Sequence, residues 1–267
     1  MTRLLLFSDS HQNAVLDSAA ALLDKRIFGF LNFALKRRFQ HHNEYLENAV
    51  QYALQSKPDA VIFTGDAVCT AAPAEFKSAT RFFHPLKNAG IPLICVQGNH
   101  DCYVSDPLCR NAMLEFYSDL TPHFSEHPFL LQFRDVRLAV IPEAKPTPPW
   151  LSCGFLSDES VEFIIAEANK KSDSPLILVG HFPLLDNSWR RGLRNREKTL
   201  PLLQSGKIHL SFCGHVHRPS ESLDETGRGE IIAGSITKYG ILTEISFLPE
   251  QNIFRHQRIS VKNLPNP

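Results

Sequence analysis

The sequence predicts a layered α/β protein with sheets stacked inside helices. Short, continuous apolar runs of strand character recur at residues 4–7, 60–63, 93–96, 176–179 and 210–213. Runs of this kind suit strands buried on both faces. Helix-like stretches alternate with them, and additional strand candidates crowd the second half of the chain, which is the signature of stacked layers.

Taken in order, the first run ends abruptly at Ser8-Asp9. An insert at residues 14–42 follows, then a helical pattern at 43–55 and the strand at 60–63. Helices at 74–87 and 107–117 bracket the strand at 93–96. Strands are expected at 129–133 and 137–141, and the Pro-rich stretch 142–149 reads as an ordered surface loop. A helix at 158–171 has Ser157 as N-cap with two acidic residues behind it, a standard start signal. After the runs at 176–179 and 210–213, strands are expected at 230–233, 242–247 and 253–259. No internal repeat or low-complexity tract divides the chain, so residues 1–267 read as one domain carrying a helical insert.

Composition narrows the class. Hydrophobic residues make up 43% of the chain, enough for a substantial core. Lys+Arg and Asp+Glu are both 28, so no global field draws the protein to nucleic acid or an anionic membrane. No protein partner is indicated. The six cysteines form no Cys-x-x-Cys pair and read as reduced thiols, which suits the cytoplasm. The first apolar run is too short for a signal peptide, and no stretch is apolar enough to span a bilayer.

Chemistry follows each buried run. The first leads to Asp9-Ser10-His11, the second to Gly65-Asp66, and the third to Gly98-Asn99-His100-Asp101. The fourth leads to Gly180-His181 and the fifth to Gly214-His215-Val216-His217. Carboxyl ends of strands are where sites assemble in α/β sheets. Imidazole, carboxylate and an amide oxygen suit manganese, iron, zinc or cobalt better than calcium. The ligands outnumber what one open catalytic metal needs. Two metals about 3.5–4 Å apart would use them and clamp both oxygens of a phosphoryl transfer. Asp66, in the middle of the series, is the natural bridge.

These blocks resemble the calcineurin-like metallophosphoesterase superfamily, whose pattern is D-x-H, G-D, G-N-H-D/E, G-H and G-H-x-H. All five stand in order from residue 9 to 217. The resemblance implies a four-layer α/β/β/α sandwich with a helical insert after the first strand. It implies one metal held by Asp9, His11, Asp66 and His217, and another by Asp66, Asn99, His181 and His215. The cofactor would be two divalent ions, Mn2+ first, with a metal-bound water or hydroxide attacking phosphorus. His100 would donate to the phosphate or protonate the leaving oxygen, and Asp101 would orient its imidazole. Many members carry another acid shortly after G-D; here Ala67-Val68-Cys69-Thr70 follows instead. A scaffold that keeps the fold without catalysis is the alternative from a different class.

Substrate choice falls to the inserts. Ile27, Phe30, Leu31, Ala34 and Leu35 would share one wide face of a helix. Lys25 and Arg26 precede it, and Lys36, Arg37 and Arg38 follow it. Such a helix can lie on a membrane surface or line an acyl groove through Phe30 and Phe33, or pack on the domain's own core with solvated basic ends. Beyond His181, a loop with Trp189, Arg190, Arg191, Arg194 and Arg196 suits a bulky anionic substrate. The phrase K-R-x-x-G-x-x-N at residues 25–32 resembles a bacterial subgroup that includes enzymes splitting UDP-2,3-diacylglucosamine into lipid X and UMP in lipid A synthesis. That reading implies a glycolipid substrate and peripheral contact with the inner membrane. A phosphodiesterase acting on cyclic nucleotides or other small diesters fits the same blocks.

Overall fold

The computed structural model describes residues 1–263 apart from 13, 16, 19, 20 and 22, so part of the 14–42 insert lies outside the described residues. Alternation of side chains sets the layers. In β1 (Thr2–Phe7), Leu5 and Phe7 face one way and Leu4 and Leu6 the other. In β2 (Ala60–Phe63) and β3 (Leu93–Cys95), Val61, Phe63, Leu93 and Cys95 join the first set, while Ala60, Ile62 and Ile94 join the second.

The first set packs under α2 (Asn43–Ser56), α3 (Pro73–Asn88) and α4 (Pro107–Leu120), through Leu46, Phe83 and Phe116. The second set meets another sheet, in which β5 (Val136–Val140), β7 (Leu176–Val179) and β9 (Leu210–Cys213) present Leu138, Val179 and Phe212. The far face of that sheet, with Ala139, Leu176 and Leu178, packs with Val161 and Ile164 of α5 (Asp158–Asn169). The result is the expected α/β/β/α sandwich.

The remaining strands are β4 (Phe129–Phe133), β6 (Gly154–Phe155), β8 (Leu193–Arg194), β10 (Ser220–Leu223), β11 (Gly229–Ile232), β12 (Ile241–Leu248) and β13 (Ile253–Ser260). One sheet runs β13-β12-β1-β2-β3 and the other β10-β11-β9-β7-β5-β4. Parallel pairing sets Phe7 beside Phe63 and Phe63 beside Cys95, and Val179 beside Phe212. Five strand ends therefore reach one edge of the sandwich together. Ser157 caps α5 by accepting from the Ser160 amide at 3.0 Å, as its sequence signal predicts.

The insert folds as its spacing predicts but packs differently. Helix α1 (Arg26–Leu35) buries only Arg26 and Gly29, while Phe28, Leu31 and Leu35 are exposed and Phe30 and Phe33 half-buried. The expectation of solvated basic ends is thus corrected at Arg26. Arg26 is 2% exposed and is held by Asp24 at 2.8 Å, Asp106 at 3.4 Å and the Cys109 Sγ at 3.2 Å. Gly29 lets the helix approach, since a Cβ there would lie 2.7 Å from the Thr70 Cγ2. Among the described residues, no helix is long and apolar enough to cross a membrane.

Candidate metal centre

The loops after the parallel strands turn sharply. Asp9, His11, Asp66, His215 and His217 take φ of 53°, 42°, 58°, 66° and 67°. Left-handed backbone costs a non-glycine residue on the order of 1–3 kcal/mol, and Asp and His are among the types that tolerate it better than most. Cross-loop hydrogen bonds hold the conformation. The Asp9 amide donates to the Gly65 carbonyl at 2.9 Å, and the His11 amide to that of Asp66 at 3.0 Å. The Ser235 hydroxyl donates to the Asp9 carbonyl at 2.7 Å, and the Thr237 hydroxyl to that of Ser10 at 2.9 Å.

Two clusters share Asp66. In the first, ligand atoms of Asp9, His11, Asp66 and His217 all lie within 4.8 Å of one another. The His11 and His217 Nε2 atoms are 2.9 Å apart, and the Asp9 Oδ1 is 3.7 and 3.4 Å from them. In the second, the His181 Nε2 stands 3.5 Å from the Asp66 Oδ2 and 3.2 Å from the Asn99 Oδ1. The His215 Nδ1 is 2.8 Å from the same amide oxygen. All seven expected ligand residues are brought together.

Neighbouring groups aim these ligands. The His181 Nδ1 donates to the Thr64 carbonyl at 2.6 Å, which turns its Nε2 toward the cluster. Beneath it, the Glu143 carboxylate accepts from the His181 and Phe182 amides at 2.9 and 2.8 Å. Gly98 permits a close approach: a Cβ there would fall 2.2 Å from the Asp66 Oδ1. The same oxygen accepts from the His100 amide at 2.7 Å, so Oδ2 is the one left for ligation.

The expected role of Asp101 needs correction. It makes no hydrogen bond to the His100 ring, whose Nδ1 donates instead to the Cys69 carbonyl at 2.6 Å. The Asp101 Oδ2 accepts from the Asp66 and Gly98 amides and the Tyr117 hydroxyl, at 2.8, 2.8 and 2.7 Å. Its Oδ1 accepts from the Val68 amide at 3.2 Å. Asp101 therefore fixes the backbone of the loops that carry Asp66 and Gly98, not the imidazole. The acid behind the 67–70 loop is Glu75. It is buried and accepts from the Val15, Cys69 and Thr70 amides at 2.8, 3.0 and 2.8 Å.

The electrostatics suit cations. The Asp9 Oδ1, the Asp66 Oδ2 and the His215 Nε2 are buried with no hydrogen-bond partner among the described residues. A buried, unpartnered carboxylate oxygen is costly unless a cation faces it. Burial, countered in part by His181 and reinforced by Asp66, pushes Asp9 up to about 7. Burial also acts to raise Asp66, but His181 and His100 hold it well below the usual carboxylate range. Burial acts to lower His181, yet the Asp66 and Asp9 charges lift it to about 10. Protons here stand in for charge that divalent ions would supply, and the mixed N/O donor set fits such ions.

His100 lies at the rim, stacked on Tyr103 with ring centroids 5.2 Å apart and edge-on to His11 at 4.8 Å. Sequence reasoning missed Arg37, which it took only as a flanking charge. In the short 3-10 helix Arg37–Phe39, its Nη2 lies 3.2 Å from the His100 Nε2 and its Nη1 3.4 Å from the His11 Nδ1. Spacing gave no signal, because this contact is set by how α1 docks. Among the expected substrate residues, Arg190 and Arg191 are exposed. Arg194 donates to the Trp189 carbonyl at 2.9 Å and to the Cys153 Sγ at 3.4 Å. Among the described residues, none of these three, nor Phe30 or Phe33, makes a hydrogen bond or ion pair with the two clusters.

Residues 2–219 match the calcineurin-like phosphoesterase family, and the chain belongs to it. It is 27% identical over 173 residues to the glycerophosphodiester phosphodiesterase GpdQ of Enterobacter lignolyticus, covering 61% of this chain and 58% of that protein. It is 23% identical over 199 residues to a cAMP/cGMP dual specificity phosphodiesterase of Mycobacterium tuberculosis, covering 73% and 57%. The chain thus spans under three fifths of the length of these curated relatives. A dimetal phosphatase from Danio rerio superposes with a TM-score of 0.57 at 12% identity, over 97% of this chain and 93% of that one, a likeness of fold.

Proposed function

We propose that this protein is a phosphodiesterase that uses two divalent metal ions to hydrolyse small-molecule phosphodiesters. The observation that carries the reading is the pair of buried, unpartnered carboxylate oxygens on Asp9 and Asp66, each facing histidine ring nitrogens. Asp9, His11, Asp66 and His217 would hold one ion, and Asp66, Asn99, His181 and His215 the other. Bound there, the ions supply Lewis acidity, a water activated for attack and a clamp on the phosphate.

The chain's own residues do the positioning. Asp66 fixes the spacing of the two sites, because Asp101 and the His100 amide lock its backbone and its second oxygen. His100 turns its Nε2 toward the site, and because the Cys69 carbonyl holds its Nδ1 proton, it would donate to a phosphoryl or leaving-group oxygen as the imidazolium. Cys69 and Tyr103 hold its ring in place.

The relatives named for glycerophosphodiesters and cyclic nucleotides favour a small diester over a lipid A precursor. One observation favours UDP-2,3-diacylglucosamine: α1 leaves Phe28 and Leu35 62% and 76% exposed. Manganese-loaded protein should therefore be assayed in parallel on glycerophosphoethanolamine, cyclic AMP, bis(p-nitrophenyl) phosphate, and UDP-2,3-diacylglucosamine in detergent. Metal-dependent turnover of the small diesters is expected. Efficient release of UMP with little small-diester activity would replace this reading with the lipid A one. Metal binding without any turnover would leave a scaffold.

A further inference from the structure

Arg37 is a cation beside the two clusters that the proposed chemistry does not use. Its guanidinium is half-buried and, among the described residues, has no carboxylate within ion-pair distance. Its nearest imidazole nitrogens lie at 3.2 and 3.4 Å, long contacts for a charged donor, and it also meets the Cys69 thiol, which burial keeps neutral. An arginine with no anion, set beside ligands arranged for two dications, is uncompensated. Two ions bring four positive charges, against which Asp9 and Asp66 supply two negative ones.

The insert is built to hold it there. On one side, Arg26 is clamped by Asp24 and Asp106, and the Lys25 Nζ donates to the Thr147 carbonyl at 2.8 Å. On the other, the His42 amide donates to the Thr237 carbonyl at 2.8 Å, and the His41 Nδ1 meets the Thr237 hydroxyl at 2.8 Å. The insert carrying Arg37 is thus tied down at the start of α1 and just beyond the short helix. Its neighbour Arg38 is exposed, with its guanidinium 4.5 Å from the Phe39 ring. The K-R-x-x-G-x-x-N phrase acquires a physical meaning: Arg26 anchors, Gly29 allows close docking, and five residues beyond Asn32 the chain delivers a fixed guanidinium.

We infer that Arg37 forms an anion subsite that takes a non-bridging phosphoryl oxygen of the substrate between its guanidinium and His100. The inference rests on the phosphodiesterase reading for the identity of the anion. Guanidinium is suited to the task, since its planar fork matches phosphate geometry and its charge persists at any working pH.

Inorganic phosphate is the probe. Its binding to manganese-loaded protein is measured by calorimetry, with metal content determined on the same samples, for wild type, Arg37→Ala, Arg37→Lys and Arg38→Ala. Arg37→Ala should hold the same metal and bind phosphate about 10- to 100-fold more weakly, the scale of one charge-assisted contact. Arg37→Lys should fall between, and Arg38→Ala should match wild type. Phosphate affinity within about twofold of wild type in Arg37→Ala would overturn the inference. So would absence of phosphate binding in wild type, or metal loss from both Arg37 variants, which would make Arg37 a prop for the histidines. Arg37-dependent phosphate binding in a protein that cleaves no diester would keep the subsite and remove the phosphodiesterase reading. Diester turnover with Arg37-independent phosphate binding would do the reverse.

Discussion

The Asp66 Oδ1 accepts the His100 amide at 2.7 Å while the Oδ2 of the same carboxylate points at His181, 3.5 Å away, with no hydrogen-bond donor of its own among the described residues. One oxygen is spent on backbone so that the other can serve both clusters. Asp66→Ala should therefore empty both metal positions, not one. Elemental analysis of the purified variant should find well under one ion per chain. Retention of two would disprove the bridging role.

Gly98 guards that carboxylate. A Cβ would lie 2.2 Å from its Oδ1 and 2.5 Å from the Asp66 amide nitrogen, so the bridge must move. Gly98→Ala should remain folded by circular dichroism but bind manganese about 10- to 100-fold more weakly, the usual scale for a disturbed supporting contact. Unchanged affinity would mean the loop relaxes without shifting Asp66.

His100 touches the reacting groups without being a ligand in the proposed arrangement. His100→Ala should keep its metal and lose about 10²- to 10⁴-fold in kcat for a diester. Loss of metal in step with activity would instead reassign His100 to the ligand shell.

Glu75 is a structural acid with a pH signature. Glu75→Ala would strip three backbone amides and the Thr70 hydroxyl of their acceptor. A buried unsatisfied donor costs about 1–3 kcal/mol, so a loss of about 3–5 kcal/mol is expected, on the order of 10 °C in Tm for a chain of this size. Burial, opposed by the Thr70, Val15 and Cys69 hydrogen bonds, pushes Glu75 from 4.5 up to about 7. Its folded pKa is raised, so the stability tied to its proton is full below 4.5 and fades as pH rises through 7. Glu75→Gln mimics the protonated form, and wild type should lose Tm relative to it between pH 5 and pH 8. A difference that does not change with pH would show that Glu75 is ionised throughout.

Much of this was legible in the sequence, for a definite reason. Strands buried on both faces leave a strong apolar signal, and the candidate ligands at their ends sit next to that signal. Asp9, Asp66, Asn99, His181 and His215 could therefore be placed before any coordinates. What escaped depends on distant packing. The partner of the His100 ring is a backbone carbonyl, at Cys69, and carbonyls carry no residue identity. Asp101 follows His100 directly in sequence, yet its side chain turns to backbone amides at 66, 68 and 98. Helix α1 shows the converse. Its period was right, but periodicity does not say which face docks, and the buried contact is a salt-bridged arginine with a glycine. The short strand β10 has too little apolar character to stand out, with Glu221 and Ser222 exposed.

The central claim is a pair of metal ions acting together on a phosphodiester. Chelated, metal-free protein should be titrated with manganese while hydrolysis of bis(p-nitrophenyl) phosphate is followed. Activity that rises to a plateau at two equivalents per chain is the predicted result. A plateau at one equivalent, or hydrolysis undiminished by chelation, would contradict it.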